Sequence, residues 1–441
     1  MRSAALLLFG LSLAAPAAAQ QVRSRGAWRG PDGLPHVDPA RLEASLVTLG
    51  SIGRDPATGG LMRTAFSEAD REARRWLTAR LEEAGLTVRL DPAGNIIGRL
   101  EGSEPGRAAL VMGSHIDTVP QGGRFDGAVG VLTALEVVAA LRDLGIRPRH
   151  PIEVVSFSDE EGGLLGSRAW AGTLTGADRQ RRYGRLSLAE ALRSLGLDPD
   201  RMAEARRSPD EIAAYLEVHI EQGRRLEREG LRIGVVEGIV ALDEYEITVS
   251  GQANHAGTTR MNDRSDPMAT AARMIVDLRE QVRLLGGDLV ATVGRIEAAP
   301  GAPNVIPARV VFTLDIRDPS RILLDSAVAG LQERFALLAA EEGTTVGWHT
   351  LTSLPSAPAD PTILATLRES VEAYGYPYRV MPSGAGHDAQ SVARLAPMGM
   401  LFVPSLGGVS HSPAEATRFE DIAAGGDVLL QALLLLDGRL R

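Results

Sequence analysis

The chain has 441 residues, 44% of them apolar, and a formal net charge of −9. That length supports two domains with sizeable cores, and the acidic balance argues against a nucleic-acid partner, which needs a basic face. Cys and Lys are both absent, so all 47 basic residues are Arg; this excludes thiol and Lys nucleophiles, pyridoxal Schiff bases, G-K-[S/T] phosphate loops and Cys-ligated metals.

The first residues read as a targeting segment. Arg2 gives a short positive start, residues 4–15 form an apolar run, and Ala17-Ala18-Ala19 make a small-residue cleavage site. Residues 1–19 are therefore expected to be a signal peptide. The mature chain is expected to be exported, and free of the membrane once the signal is removed. The run is too short to span a bilayer as a mature helix.

Helical periodicity begins at Asp38, a plausible N-cap with Pro39 in the first turn. It returns over residues 67–84, where Gly85 supplies a stop. Strands and helices then alternate. Residues 108–112 read as a buried strand, 127–144 as a helix, 152–158 as a strand and 216–219 as a third. This is an α/β pattern with a largely parallel sheet flanked by helices.

The middle of the chain changes character. Residues 245–249 alternate as a strand does. Residues 266–285 read as a helix, 289–298 and 309–317 as strands, 321–342 as a helix and 345–350 as a short strand. The order β-α-β-β-α-β predicts a ferredoxin-like α+β domain. Residues 355–361 look like a linker. The α/β pattern resumes with 362–375, the strand 398–403 and a final helix. The expected layout is a larger domain in two parts, 20–242 and 355–441, with an inserted domain over 243–354.

The residues that carry chemistry sit at strand ends, where ligands bind in open α/β sheets. The first strand runs into His115 and Asp117, with Asp126 shortly after. The second ends in Asp159-Glu160-Glu161. The third carries His219 before Gln222. The last is followed by Ser410-His411-Ser412. A single such His is usually structural, and an acidic turn is usually solvated. Joint placement changes that reading, because five of the eight His residues fall in polar, Gly-rich segments of this kind. His115, Asp126, Glu161, His219 and His411 suit a pair of borderline divalent ions, Zn²⁺ or Mn²⁺, with Co²⁺ or Ni²⁺ also compatible. Asp117 is placed to orient the His115 ring from behind. Of the adjacent carboxylates, one can ligate while the other acts as a base. In the inserted domain, His255, Asn304 and Arg317 form a polar set. Arg317 either pairs with Asp315 or Asp318, or grips a carboxylate bidentately.

Six blocks carry a resemblance. They are G-S-H-I-D-T-V-P-Q-G-G-R-F-D-G, D-E-E-G, E-V-H-I-E-Q-G, G-Q-A-N-H-A-G-T-T-R-M, P-G-A-P-N-V-I-P with L-D-I-R, and S-G-A-G-H-D-A-Q with V-S-H-S-P. They span residues 113 to about 415. The chain resembles the amidase/hydantoinase-carbamoylase family of dinuclear metallohydrolases, similar in fold to the zinc exopeptidases of the aminoacylase and carboxypeptidase type. The resemblance implies that Asp126 bridges two ions. It gives His115 and His219 to one ion, and Glu161 and His411 to the other. Glu160 would be the general base. His255 and Asn304 would reach the scissile group and the substrate, and Arg317 the substrate carboxylate. His387 and Gln222 match further substrate positions. It also implies a homodimer built through the inserted domain. A His at position 219, where the peptidase-like relatives usually have a carboxylate, points to N-carbamoyl-amino acids or allantoate rather than peptides. Two departures touch pocket shape: Arg260 stands where Pro is common, and the segment after D-E-E-G is short.

Overall fold

The structure, a computed structural model, describes residues 28–31 and 33–440. The expected signal peptide lies outside the described residues. The helix Pro39–Leu49 starts where Asp38 accepts the amides of Ala40 and Arg41. Ser67 caps the helix Glu68–Glu83 in the same way, through the amide of Asp70.

The central sheet takes its strands from both sides of the insertion. They are β1 (Thr87–Leu90), β2 (Ile96–Leu100), β3 (Ala109–His115), β4 (Ile152–Phe157), β5 (Ile212–Ile220) and β6 (Ile233–Ile239). A second sheet follows, with β7 (Ala241–Ser250), β8 (Val290–Thr292), β9 (Ile296–Ala299), β10 (Arg309–Asp318) and β11 (Thr345–Leu354). The chain then returns to the first sheet with β12 (Ala357–Pro358), β13 (Tyr378–Ser383) and β14 (Met398–Val403).

The central order is β12-β6-β14-β5-β3-β4-β2-β1, with β13 also on β6. The run β14-β5-β3-β4 is parallel, while β1, β2 and β12 join antiparallel. Every residue of β3, β4 and β14 is buried, as expected for parallel strands covered on both faces. The helices Ala128–Asp143 and Phe419–Arg439 share the larger core cluster with these strands.

In the second sheet the order is β8-β10-β7-β11, with β9 also on β10, all antiparallel. β7 and β10 alternate between buried and half-buried residues. That period-2 pattern fits a sheet with one face on a core. The helices Pro267–Leu285 and Arg321–Glu341 cover this face, with Met274, Leu331 and Phe335 packed on Phe312 and Ile316. This is the ferredoxin-like arrangement.

Some boundaries differ from those read in the sequence. Residues 289–298 form two short strands rather than one, interrupted around Gly294 where Arg295 donates instead to Thr313. The last strand of the inserted sheet continues to Leu354 rather than stopping at 350. The linker at 355–361 contains a two-residue strand. The hairpin β1–β2 and strands β6 and β13 had no clear periodic signal in the sequence.

Candidate metal centre

Parallel pairing sets the carboxyl ends of β14, β5, β3 and β4 side by side along one edge of the sheet. β3 ends on His115, β5 carries His219 one residue from its end, and β4 leads into Asp159-Glu160-Glu161. The loop after β14 brings Ser410 and His411. Asp126 lies between β3 and the helix Ala128–Asp143, just before Gly127 at φ 62°. A Cβ at Gly127 would lie 2.4 Å from the His115 ring. Only glycine accommodates both that approach and that backbone angle.

Two donor groups share Asp126. One is His115, Asp126 and His219; the other is Asp126, Glu161 and His411, each with its ligand atoms within 4.8 Å of one another. His219 Nε2 is 3.1 Å and His115 Nε2 3.8 Å from Asp126 Oδ1. His411 Nε2 is 3.2 Å from Asp126 Oδ2 and 3.4 Å from Glu161 Oε2. The first group is fully buried, whereas His411 is exposed. The ring orientations suit ligation. Nδ1 of His115 donates to the Asp117 carbonyl at 3.0 Å, and Nδ1 of His219 to the Ile220 carbonyl at 2.9 Å. Each therefore turns Nε2 toward Asp126. His115 Nε2 is buried and has no hydrogen-bond partner. An orphaned imidazole nitrogen among carboxylates is what a divalent cation satisfies, so the residues fit such an ion.

Without cations the charges strain against one another. Burial pushes Glu160 well above the usual carboxylate range, with Asp388 and Glu161 adding to the rise against the opposing charge of His115. Burial likewise raises Glu161 to about 7. Burial opposes the charge on His115, but the carboxylates of Glu160 and Asp117 outweigh it and hold that imidazole well above its usual value. Asp126 is buried too, yet hydrogen bonds with His219 and His411 keep it well below the usual range.

The structure adds detail to two of the expected residues. Asp117 holds the His115 ring through its backbone carbonyl; its carboxylate is 3.6 Å from Nδ1. That carboxylate instead accepts the amides of Glu160 and Glu161, each at 3.3 Å, and so fixes the turn carrying both. Gln222, expected against the substrate, donates to Asp126 Oδ2 at 2.8 Å. Gln222, His411 and Asp159 all have φ between 53° and 58°, so unfavourable backbone angles gather at this edge.

Of the remaining expected residues, His387 adjoins the cluster, in a third buried group with Glu217 and His219, and the others lie farther out. His387 is buried, 4.5 Å ring to ring from His219, with Nε2 2.8 Å from Ser383 Oγ. Burial drives it well below the usual histidine value, so it is neutral. His255 and Asn304 are neighbours on the inserted domain, where the Asn304 carbonyl accepts the Ala256 amide. His255 is exposed, and its Nδ1 accepts the amides of Gly257 and Thr258, leaving the proton on Nε2. No hydrogen bond or ion pair among the described residues joins it to the cluster. Arg317 takes the pairing that the sequence left open. It binds Asp315 through two bonds of 2.8 Å, and donates to the Gly384 carbonyl across the gap between the two sheets. A cleft of about 750 Å³ runs past Arg317, Gly384 and Gln222.

Four residues were not singled out from the sequence. Ser410 donates to Asp126 Oδ2 at 2.8 Å. Glu415 accepts the amides of Phe125 and Asp126. Glu217 accepts from Ser114 and Tyr215. Asp388 lies wholly buried beside Glu160. Ser410 adjoins His411 in V-S-H-S-P, the one local signal that pointed to it.

A family model described as peptidase family M20/M25/M40 matches residues 111–435. The chain belongs to that family. An N-carbamoyl-L-amino acid amidohydrolase of Geobacillus stearothermophilus is 43% identical over 395 residues, covering 88% of this chain and 96% of its own. An allantoate amidohydrolase of Bacillus subtilis (strain 168) is 35% identical over 387 residues, covering 86% and 93%. The crystal structure of an amidase of the hydantoinase/carbamoylase family from Burkholderia multivorans superposes with a TM-score of 0.82 at 38% identity, covering 91% of this chain and 98% of that one. These relatives place this M20 chain in the hydantoinase/carbamoylase branch, as a hydrolase of carbon–nitrogen bonds. Enzymes of the family use divalent metals, and the residues around Asp126 are a set that could hold one.

Proposed function

We propose that the chain hydrolyses the ureido C–N bond of N-carbamoyl-L-amino acids. One observation carries the reading: a single carboxylate, Asp126, is shared by two His/carboxylate donor groups, with the Glu160 carboxylate 3.5 Å from His115 at their edge. His115, Asp126 and His219 would hold one divalent ion, and Asp126, Glu161 and His411 a second. Zn²⁺ or Mn²⁺ would suit these donors, and Co²⁺ and Ni²⁺ are also compatible. Such ions supply polarisation of the scissile carbonyl and a nucleophile at neutral pH.

The chain's own residues do the rest. Glu160 takes the proton released as water attacks, then returns it to the departing nitrogen. His255, with its proton on Nε2, donates to the developing oxyanion once the inserted domain closes on the cluster. Arg317 exchanges Asp315 for the substrate carboxylate, which offers the same bidentate geometry. Asn304 and His387 line the substrate. The products are the free amino acid, ammonia and CO₂.

The test is ammonia and amino-acid release by protein loaded with Mn²⁺ or Zn²⁺. The panel holds N-carbamoyl-amino acids of both hands, 3-ureidopropionate, allantoate and N-acetyl-amino acids. Ammonia together with amino acid from an N-carbamoyl-L-amino acid is the expected result. Ammonia from allantoate alone, or amino acid from N-acetyl compounds alone, overturns the substrate assignment. The same reading includes export directed by residues 1–19 and a homodimer built through the inserted domain. The exposed Leu284, Leu285, Ile322 and Leu323 on that domain's helices support the dimer. A monomer by light scattering, or an uncut N-terminus in the exporting host, removes the corresponding part.

A further inference from the structure

We propose that Glu415 is a positioning residue that sets the spacing between Asp126 and His411. The proposal rests on the two-ion reading above.

Asp126 and His411 sit on loops from different strands. Asp126 follows β3 and His411 follows β14, and β5 lies between those strands. Their side chains meet at 3.2 Å, a contact between segments remote in sequence. Glu415, four residues beyond His411, reaches across. Its Oε1 accepts the amide of Phe125 at 2.7 Å and that of Asp126 at 3.1 Å. Its Oε2 lies 3.1 Å from Ser410 Oγ, whose hydroxyl is also 2.8 Å from Asp126 Oδ2. One hydroxyl carries one proton, so Ser410 shares it between the two carboxylates. The result is a closed frame. Glu415 holds the Asp126 backbone, Ser410 meets the Asp126 side chain, and both belong to the His411 loop.

The sequence is shaped around this frame. A Cβ on Gly123 would lie 2.1 Å from the Glu415 carboxyl carbon and 2.5 Å from its Cβ. Any side chain there would push Glu415 off the two amides. Glu415 itself is buried, only 5% exposed, and it holds Asp126 by the backbone amide rather than by a ligand atom. Its effect must pass through Asp126 and His411.

The experiment is titration of the metal-free full chain with Zn²⁺ against a chromophoric chelator, with melting curves alongside. Glu415→Ala is expected to weaken one of the two ions by about 10- to 100-fold, the range for a residue behind a metal ligand. The ion held by His115 and His219, which shares Asp126, is expected to lose less, and the melting temperature of the metal-free protein to fall modestly, because two amides lose their acceptor. Glu415→Gln, which keeps a carbonyl acceptor for both amides, is expected to restore most of the loss. Gly123→Ala is expected to reproduce Glu415→Ala, and the double variant to be no worse than either single one.

Wild-type affinities in Glu415→Ala overturn the proposal. So does loss of both ions together with a collapsed melting temperature, which would mark Glu415 as a fold residue only. Additive losses in the double variant overturn the frame as well. If the unaltered chain takes up a single ion, the two-ion reading falls on its own. Glu415 is then judged on that ion, which Glu415→Ala weakens if it positions Asp126 and leaves alone if it does not.

Discussion

Glu160→Gln is expected to cut kcat by about 10²- to 10⁴-fold, the usual contribution of a general base. KM, metal content and melting temperature should stay near those of the unaltered protein. The substitution is close to isosteric and keeps the backbone amide that Asp117 accepts. It removes only a proton acceptor. Glu160 belongs to neither donor group around Asp126, so its replacement takes no ligand from either ion. Steady-state kinetics with the best substrate, and metal analysis of the same preparation, check both halves. Undiminished turnover would show that the proton goes elsewhere. Lost metal would show that Glu160 is a ligand.

The second large effect is in stability against pH. Burial raises Glu161 from 4.5 to about 7 and Asp159 from 3.8 to about 7. Each such rise is worth about 3–4.5 kcal/mol between protonation states, and the contributions of close neighbours do not simply add. The folded values lie above the unfolded ones. The stabilisation is therefore complete below about pH 4 and is lost as pH climbs through about 7. Burial opposes the charges of His115 and His219, and a hydrogen bond with Asp126 favours that of His411; all three end above their usual value. They act in the same direction, losing their contribution above the unfolded range. Asp126 runs the other way, but its window is strongly acidic because its folded value is depressed. The metal-free protein should therefore melt at a lower temperature at pH 8 than at pH 6. Saturating Zn²⁺ should reverse the slope, because ions replace the protons and bind more tightly as pH rises. Melting curves of chelator-treated protein at the two values decide it. Equal or greater stability at pH 8 without metal would contradict this account.

Much of this was legible in the residues. Asp38-Pro39 and Ser67 gave helix starts because capping is local chemistry. β14 is a continuous apolar run and was found at its true bounds. The β-α-β-β-α-β order gave the inserted domain, because its strands alternate cleanly. The hairpin β1–β2 was not found, since β1 is mostly exposed and has no apolar face to show a period. Strand-end placement drew His115, Asp126, Glu161, His219 and His411 together, and the structure gathers all five. The frame around them was not legible. Glu415 meets Phe125 from 290 positions away, and a contact of that kind leaves no local trace. The bonds from the Asp117 carboxylate to the turn and from Gln222 to Asp126 were hidden for a related reason. Motif spacing says which residues are near a site, not which of their atoms turn toward it.

The way the inserted domain is attached has a mechanical consequence. The outgoing and returning chains are not separate tethers. Gly238 and Ile239 pair with Pro358 and Ala357, and a few residues on Leu242 pairs with Leu354. Two strands bonded side by side cannot slide independently without breaking their ladder. They bend together, as one strip. The domain therefore has, to first order, one swinging coordinate rather than two loose ones. Arg317 and His255 both belong to that domain, so any swing of the strip moves the two together.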